Sequence, residues 1–92
     1  MKTIHKYPIR TSDKQVVVTH KGFKPLYVNY DGKNRLCLWG VVNTDAKEIQ
    51  AHIYVVGTGN PLPDVEMDYV GSVKDTTTNP EFAFIWHIFV GK

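Results

Sequence analysis

The chain has 92 residues, about 10.5 kDa, which is enough for one domain and too little for two independent cores. Hydrophobic residues make up 42% and charged residues 22%, an ordinary globular balance that excludes a disordered chain. A net charge of +2 hides a split: residues 1–36 hold eight Lys or Arg against Asp13 and Asp31, while residues 37–92 hold three Lys against seven acids.

The hydrophobic period is two throughout, and strands are expected in chain order. Lys2–Ile9 places Ile4 beside His5 and Tyr7, with Pro8 pushing it toward a sheet edge. Gln15–Thr19 carries three consecutive valines, whose stiff χ1 suits a strand. Leu26–Tyr30 alternates Leu26, Val28 and Tyr30 against Tyr27 and Asn29. Asp31-Gly32 predicts a hairpin turn, because both residues tolerate the positive φ such turns require.

Residues 34–43 are apolar on both faces, Leu36, Leu38 and Val42 against Cys37, Trp39 and Val41. This predicts a central strand covered on both sides. Asp45–Glu48 is a turn or a single helical turn. Residues 49–56 set Ile49, Ala51, Ile53 and Val55 against Gln50, His52 and Tyr54, a half-buried strand. Gly57–Pro63 is a loop. Asp68–Lys74 alternates again, and Thr76–Pro80 is another loop. Residues 82–90 set Phe82, Phe84, Trp86, Ile88 and Val90 against Ala83, Ile85, His87 and Phe89, a second central strand.

These elements predict an all-β fold: a compact antiparallel sandwich, roll or small barrel of about seven short strands with at most one short helix, spanning 1–92 as a single β domain. A central sheet of 34–43, 49–57 and 82–90 is expected. Its core comprises Leu36, Leu38, Trp39, Val41, Ile53, Val55, Phe84, Trp86 and Ile88.

Chemistry is sparse. One cysteine, Cys37, allows neither an internal disulfide nor a cysteine-rich zinc site. His5, His20, His52 and His87 show no ligand spacing, although His52 and His87 would meet if their strands paired suitably. No metal, cofactor or catalytic residue is expected. Cys37 lies in the most apolar strand, where burial keeps a thiol inert. The chain is read as a non-enzyme. No apolar run reaches the ~20 residues of a membrane span, and no secretory signal opens the chain, so a cytoplasmic location without membrane contact is expected.

Basic and aromatic residues interleave in the first third. If anions bind, the expected surface joins Lys6, Arg10, Lys21, Lys24 and Arg35, with Tyr7, Tyr27 or Tyr30 as stacking partners. Thr58 and Asn60 of the Gly57–Pro63 loop would stand at its rim, where glycines free backbone donors. The plain alternative makes the rings core, the lysines solubility, and the loop a rigid exit from the sheet.

Four segments, Lys2-Thr3-Ile4-His5-Lys6-Tyr7, Leu36-Cys37-Leu38-Trp39, Gly57-Thr58-Gly59-Asn60-Pro61-Leu62-Pro63 and Trp86-His87-Ile88-Phe89, together resemble a family of small proteins of unknown function encoded by tailed bacteriophages and prophages. The pattern is departed from after Trp39, where Asn43-Thr44 replaces Asp-Pro. The resemblance implies a phage product in the host cytoplasm and supplies no activity. A binding protein is then expected: an accessory or anti-defence factor that engages a host bacterial protein. The alternatives are a sponge for a nucleotide-like anion and a minor virion or assembly component. A homodimer is expected, since so many apolar strand faces exceed what one small core covers.

Overall fold

The computed structural model describes residues 1–75 and 84–92. Seven strands form where the period-two pattern runs: β1 (Lys2–Pro8), β2 (Gln15–His20), β3 (Lys24–Tyr30), β4 (Leu36–Asn43), β5 (Glu48–Gly57), β6 (Met67–Lys74) and β7 (Ile85–Gly91). Among the described residues there is no helix, and Asp45–Glu48 opens as a turn closed by the Ala46 N–H on the Asn43 carbonyl at 3.0 Å. The predicted Thr76–Pro80 loop lies outside the described residues, as do Phe82 and Ala83.

The strands sort into two antiparallel sheets, β1-β4-β3 and β2-β5-β7-β6. This corrects the expectation of a single central sheet. β4 is the middle of the three-stranded sheet, while β5 and β7 are the middle of the four-stranded one. Val28, Leu36 and Leu38 of the first meet Ala51, Ile53, Val55, Val73 and Ile88 of the second, and Ile9 closes one end. Burying a side chain such as Leu38, Ile53 or Ile88 contributes about 1.5–3 kcal/mol.

One long side of the sandwich is shut. A bulge at Val70 breaks the β6–β7 register, and the next residue, Gly71, comes under β3. A Cβ there would stand 2.8 Å from Val28 Cγ1, so only glycine lets the two sheets approach this closely. On the other side β1 and β2 are edges joined through residues 9–14.

Three of the nine expected core residues lie elsewhere, and a fourth sits at the margin of the core. Trp39 and Val41 are half-buried on the outer face of β4, and Phe84 is 41% exposed. Trp86 packs against the core only partly buried, with its Nε1–H donated to buried Asp75 at 3.1 Å. The physical reason for Trp39 and Val41 is thickness. The shortest Cα extent is 15 Å, room for two sheets at ~10 Å spacing and no third layer. A strand apolar on both faces must therefore show one of them.

The β3–β4 hairpin forms as expected, but its positive φ falls on Asn34 (58°) rather than on Asp31 or Gly32. The Asp31 N–H donates to the Arg35 carbonyl at 2.9 Å, and the Asn34 N–H to the Asp31 carbonyl at 3.0 Å, a longer loop closed by a left-handed asparagine.

Candidate functional site

The outer face of the three-stranded sheet collects side chains in register. Lys6 on β1, Trp39 on β4 and Tyr27 on β3 form one row. Ile4, Val41 and Lys24 form the next. The Tyr27 ring lies tilted on Trp39 with centroids 5.6 Å apart, and Lys6 Nζ, from the strand on the other side of β4, stands 5.9 Å from the Trp39 ring centre. Asn29 Nδ2 donates to the Tyr27 hydroxyl at 2.6 Å and fixes that ring. Ile4 is 57% exposed and Tyr27 54%; Leu26, the extra residue of the β3 bulge, is exposed beside them. Lys2 and Lys24 flank this apolar centre, and Lys2, Thr3, Ile4 and Val41 line a shallow depression.

At one end of the face sits an ion cluster. The Asp31 carboxylate accepts from Lys6 Nζ at 2.8 Å and from Arg35 Nε at 3.1 Å, and the Lys33 and Arg35 backbone N–H groups donate to its other oxygen. These partners, Lys6 first, hold the Asp31 carboxyl well below the usual carboxylate range. Cys37 Sγ lies 3.7 Å from Asp31 Oδ2, the oxygen that Lys6 and the Arg35 side chain hold, and the thiol is wholly buried. Burial, and then the Asp31 charge, push its pKa up. One carboxylate between two cations leaves the cluster net positive.

The structure therefore brings Lys6, Lys24, Tyr27 and Arg35 to one sheet face or its end. Tyr7 points inward instead, its hydroxyl 2.7 Å from Thr19 Oγ1 and its ring edge-on to Phe23. Tyr30 also turns toward the core, where burial and then the nearby Asp75 charge raise its pKa. Arg10 follows β1, its backbone clasped by Gln15, and Lys21 occupies the β2–β3 turn toward the opposite end.

Thr58 and Asn60 stand apart, beyond β5 in the four-stranded sheet. The Thr58 N–H donates to the Ile85 carbonyl at 3.2 Å and the Asn60 N–H to the Gly57 carbonyl at 3.0 Å, so those donors serve the chain itself. The Thr58 hydroxyl lies 2.9 Å from His87 Nε2. Ser72 Oγ lies 2.7 Å from His87 Nδ1, and the Tyr69 hydroxyl 2.7 Å from Ser72 Oγ. This chain of hydroxyls around an imidazole borders a cleft of about 290 Å³ with Val56, Leu62 and Phe89 in its wall. Asp13, not a cation, lines the adjoining depression at Asn60–Pro63. His52 lies opposite Val16 of β2 and His87 opposite Val56 of β5, so the two histidines do not meet. Among the described residues no three His, Cys, Asp or Glu side chains converge.

Trp39 and Val41 are the surface residues that the sequence reading placed in the core, and Ile4 is one it assigned to neither face. The available signal was the lack of any helix-length segment to cover a second β4 face.

No curated protein and no solved structure matches the chain. A family model does, from residue 1 to residue 92, and the chain accordingly belongs to the domain-of-unknown-function family DUF7352.

Proposed function

We propose that this is a phage-encoded binding protein without enzymatic activity, which engages an acidic surface of a host bacterial protein through the outer face of β1-β4-β3, as an accessory or anti-defence factor in the host cytoplasm. The observation that carries the reading is the Lys6–Trp39–Tyr27 row with exposed Ile4 beside it. Aromatic and aliphatic anchors ringed by lysines on a flat sheet match the anatomy of a protein interface better than that of a small-molecule pocket, which is concave. The three strands of this sheet carry Lys2, Lys6 and Lys24 and no acid, which favours an acidic rim on the partner. The resemblance of four segments to phage and prophage proteins supports the origin.

The test is affinity capture from bacterial lysate, followed by rebinding of the identified, purified partner. Tyr27→Ala should weaken that rebinding by about tenfold or more, the scale of a lost aromatic anchor. Lys24→Glu and added salt should each weaken it further. A partner indifferent to all three changes would overturn the reading, as would a nucleotide, rather than a protein, released from the purified chain on heating.

A further inference from the structure

Among the described residues four strands are sheet edges: β1, β3, β2 and β6. An edge presents a row of free backbone donors and acceptors, and proteins blunt such rows with charge, proline or a bulge. Three of the four do so. β1 carries Lys2, Lys6 and Pro8. β3 carries Lys24, Pro25 and the bulge at Leu26. β6 carries Asp68, Lys74 and the bulge at Val70. β2 has none of these devices. It reads Gln-Val-Val-Val-Thr-His, pairs with β5 in unbroken register, and exposes Val16 (46%) and Val18 (58%). Its one imidazole, on His20, is turned back to the Ala46 carbonyl at 2.8 Å.

The direction of the free groups follows from one hydrogen bond. The Lys21 N–H donates to the Lys47 carbonyl at 2.8 Å, which continues the β2–β5 register. Hydrogen-bonded pairs recur every second residue in an antiparallel ladder, so Thr19, Val17 and Gln15 bond to β5. The N–H and C=O groups of Val16 and Val18 point out of the sheet edge.

We propose that β2 is a self-association edge: two copies pair their β2 strands antiparallel about a two-fold axis at Val17, joining two four-stranded sheets into one. In this register Val16 bonds to the partner's Val18, and Val18 to the partner's Val16. Four exposed valines then form two neighbouring cross-strand pairs on the outer face. Asp13 lies in the bend before β2 and Lys21 directly after it, so the same alignment brings Asp13 towards the end of the partner's strand that carries Lys21, and this charge complementarity favours a second copy. The interface uses none of the face assigned to the acidic partner, and its failure would leave that proposal untouched. A six-residue edge buries less than a standard interface, so a micromolar dimer is expected.

Sedimentation of the full chain tests this. In the hundreds of micromolar the mass should be twice 10.5 kDa, returning to that of one chain on dilution. Val16→Lys with Val18→Lys places like charges directly opposite and should give a monomer at every concentration. Both side chains are exposed, so the dilute thermal midpoint should not move. Val18→Pro removes a donor that only the dimer uses and should also dissociate it. Asp13→Lys or Lys21→Asp alone should weaken the dimer, and both together should restore it. A wild-type monomer throughout, or a dimer that ignores the lysine pair, overturns the proposal. Failure of the charge swap to restore association overturns the register at Val17.

Discussion

Asp31 is the residue on which most local chemistry converges. Its carboxyl is depressed below the ordinary 3.8 by Lys6 and by the Arg35 and Lys33 donors. A depressed carboxyl contributes stability that is present above its unfolded pKa and lost as pH falls through the folded value. Wild-type stability should therefore decline on acidification below about pH 4, and Asp31→Asn should be less stable at neutral pH with a shallower acid decline. Denaturant melts across a pH series would show both. Cys37, raised by burial and by Asp31, should alkylate slowly in the folded protein and at the free-thiol rate once unfolded. A thiol-reactive dye in native and denaturing buffer measures the ratio. At this scale the sequence was half legible. Alternation put Tyr27 and Asn29 opposite Val28, as found, but only Pro8 hinted at an edge in β1. The faces of β1 stayed unassigned, and there Ile4 faces out while Tyr7 turns inward to Thr19 and Phe23.

Within single elements, β4 supplies the sharpest test. Leu38 is fully buried between the sheets and Trp39, one residue on, lies on the open face. Leu38→Ala should cost about 2–5 kcal/mol, and Trp39→Ala less than Leu38→Ala despite the larger ring. Urea melts of the two variants rank them. Gly40 follows, and the Phe23 ring fills the space its missing side chain leaves. A Cβ there would overlap that ring and stand 2.8 Å from the Lys24 carbonyl. Gly40→Ala should thus destabilise by about 1–3 kcal/mol, the range for an overfilled site. The seven strands were readable because Val, Ile and aromatic runs broken by Gly, Pro and Asp give a local signal. Their division between two sheets was not, because it depends on pairings such as Lys2 with Asn43 that no local pattern encodes.

Taken whole, the molecule sorts its charge by layer. β1 and β3 of the basic first third flank β4, while β2 crosses to the other sheet and brings no charge with it. The acids Glu48 and Asp68 lie on strands of the four-stranded sheet with Lys74 as their one cation, against three lysines and no acid on the other sheet. The uneven charge of the linear sequence thereby becomes a difference between two faces, and the cationic face is the one with exposed rings. Attraction of an acidic partner should orient it toward that face before contact, an effect that salt screens over about 8–10 Å.

The strand order also sets how the chain reaches this state. Among the described strands only β3–β4 and β6–β7 join neighbours in sequence; β1 must wait for β4, β2 for β5, and β5 for β7. Each such pairing closes a long loop before any contact compensates for the lost freedom. Refolding from denaturant should accordingly take about milliseconds to seconds, as for other domains dominated by distant pairings. Stopped-flow tryptophan fluorescence would time it, and a microsecond phase carrying the full amplitude would contradict it. During that interval the valine strand has neither β5 nor a second copy beside it. Refolding yield should fall with protein concentration, and Val16→Lys with Val18→Lys should recover it.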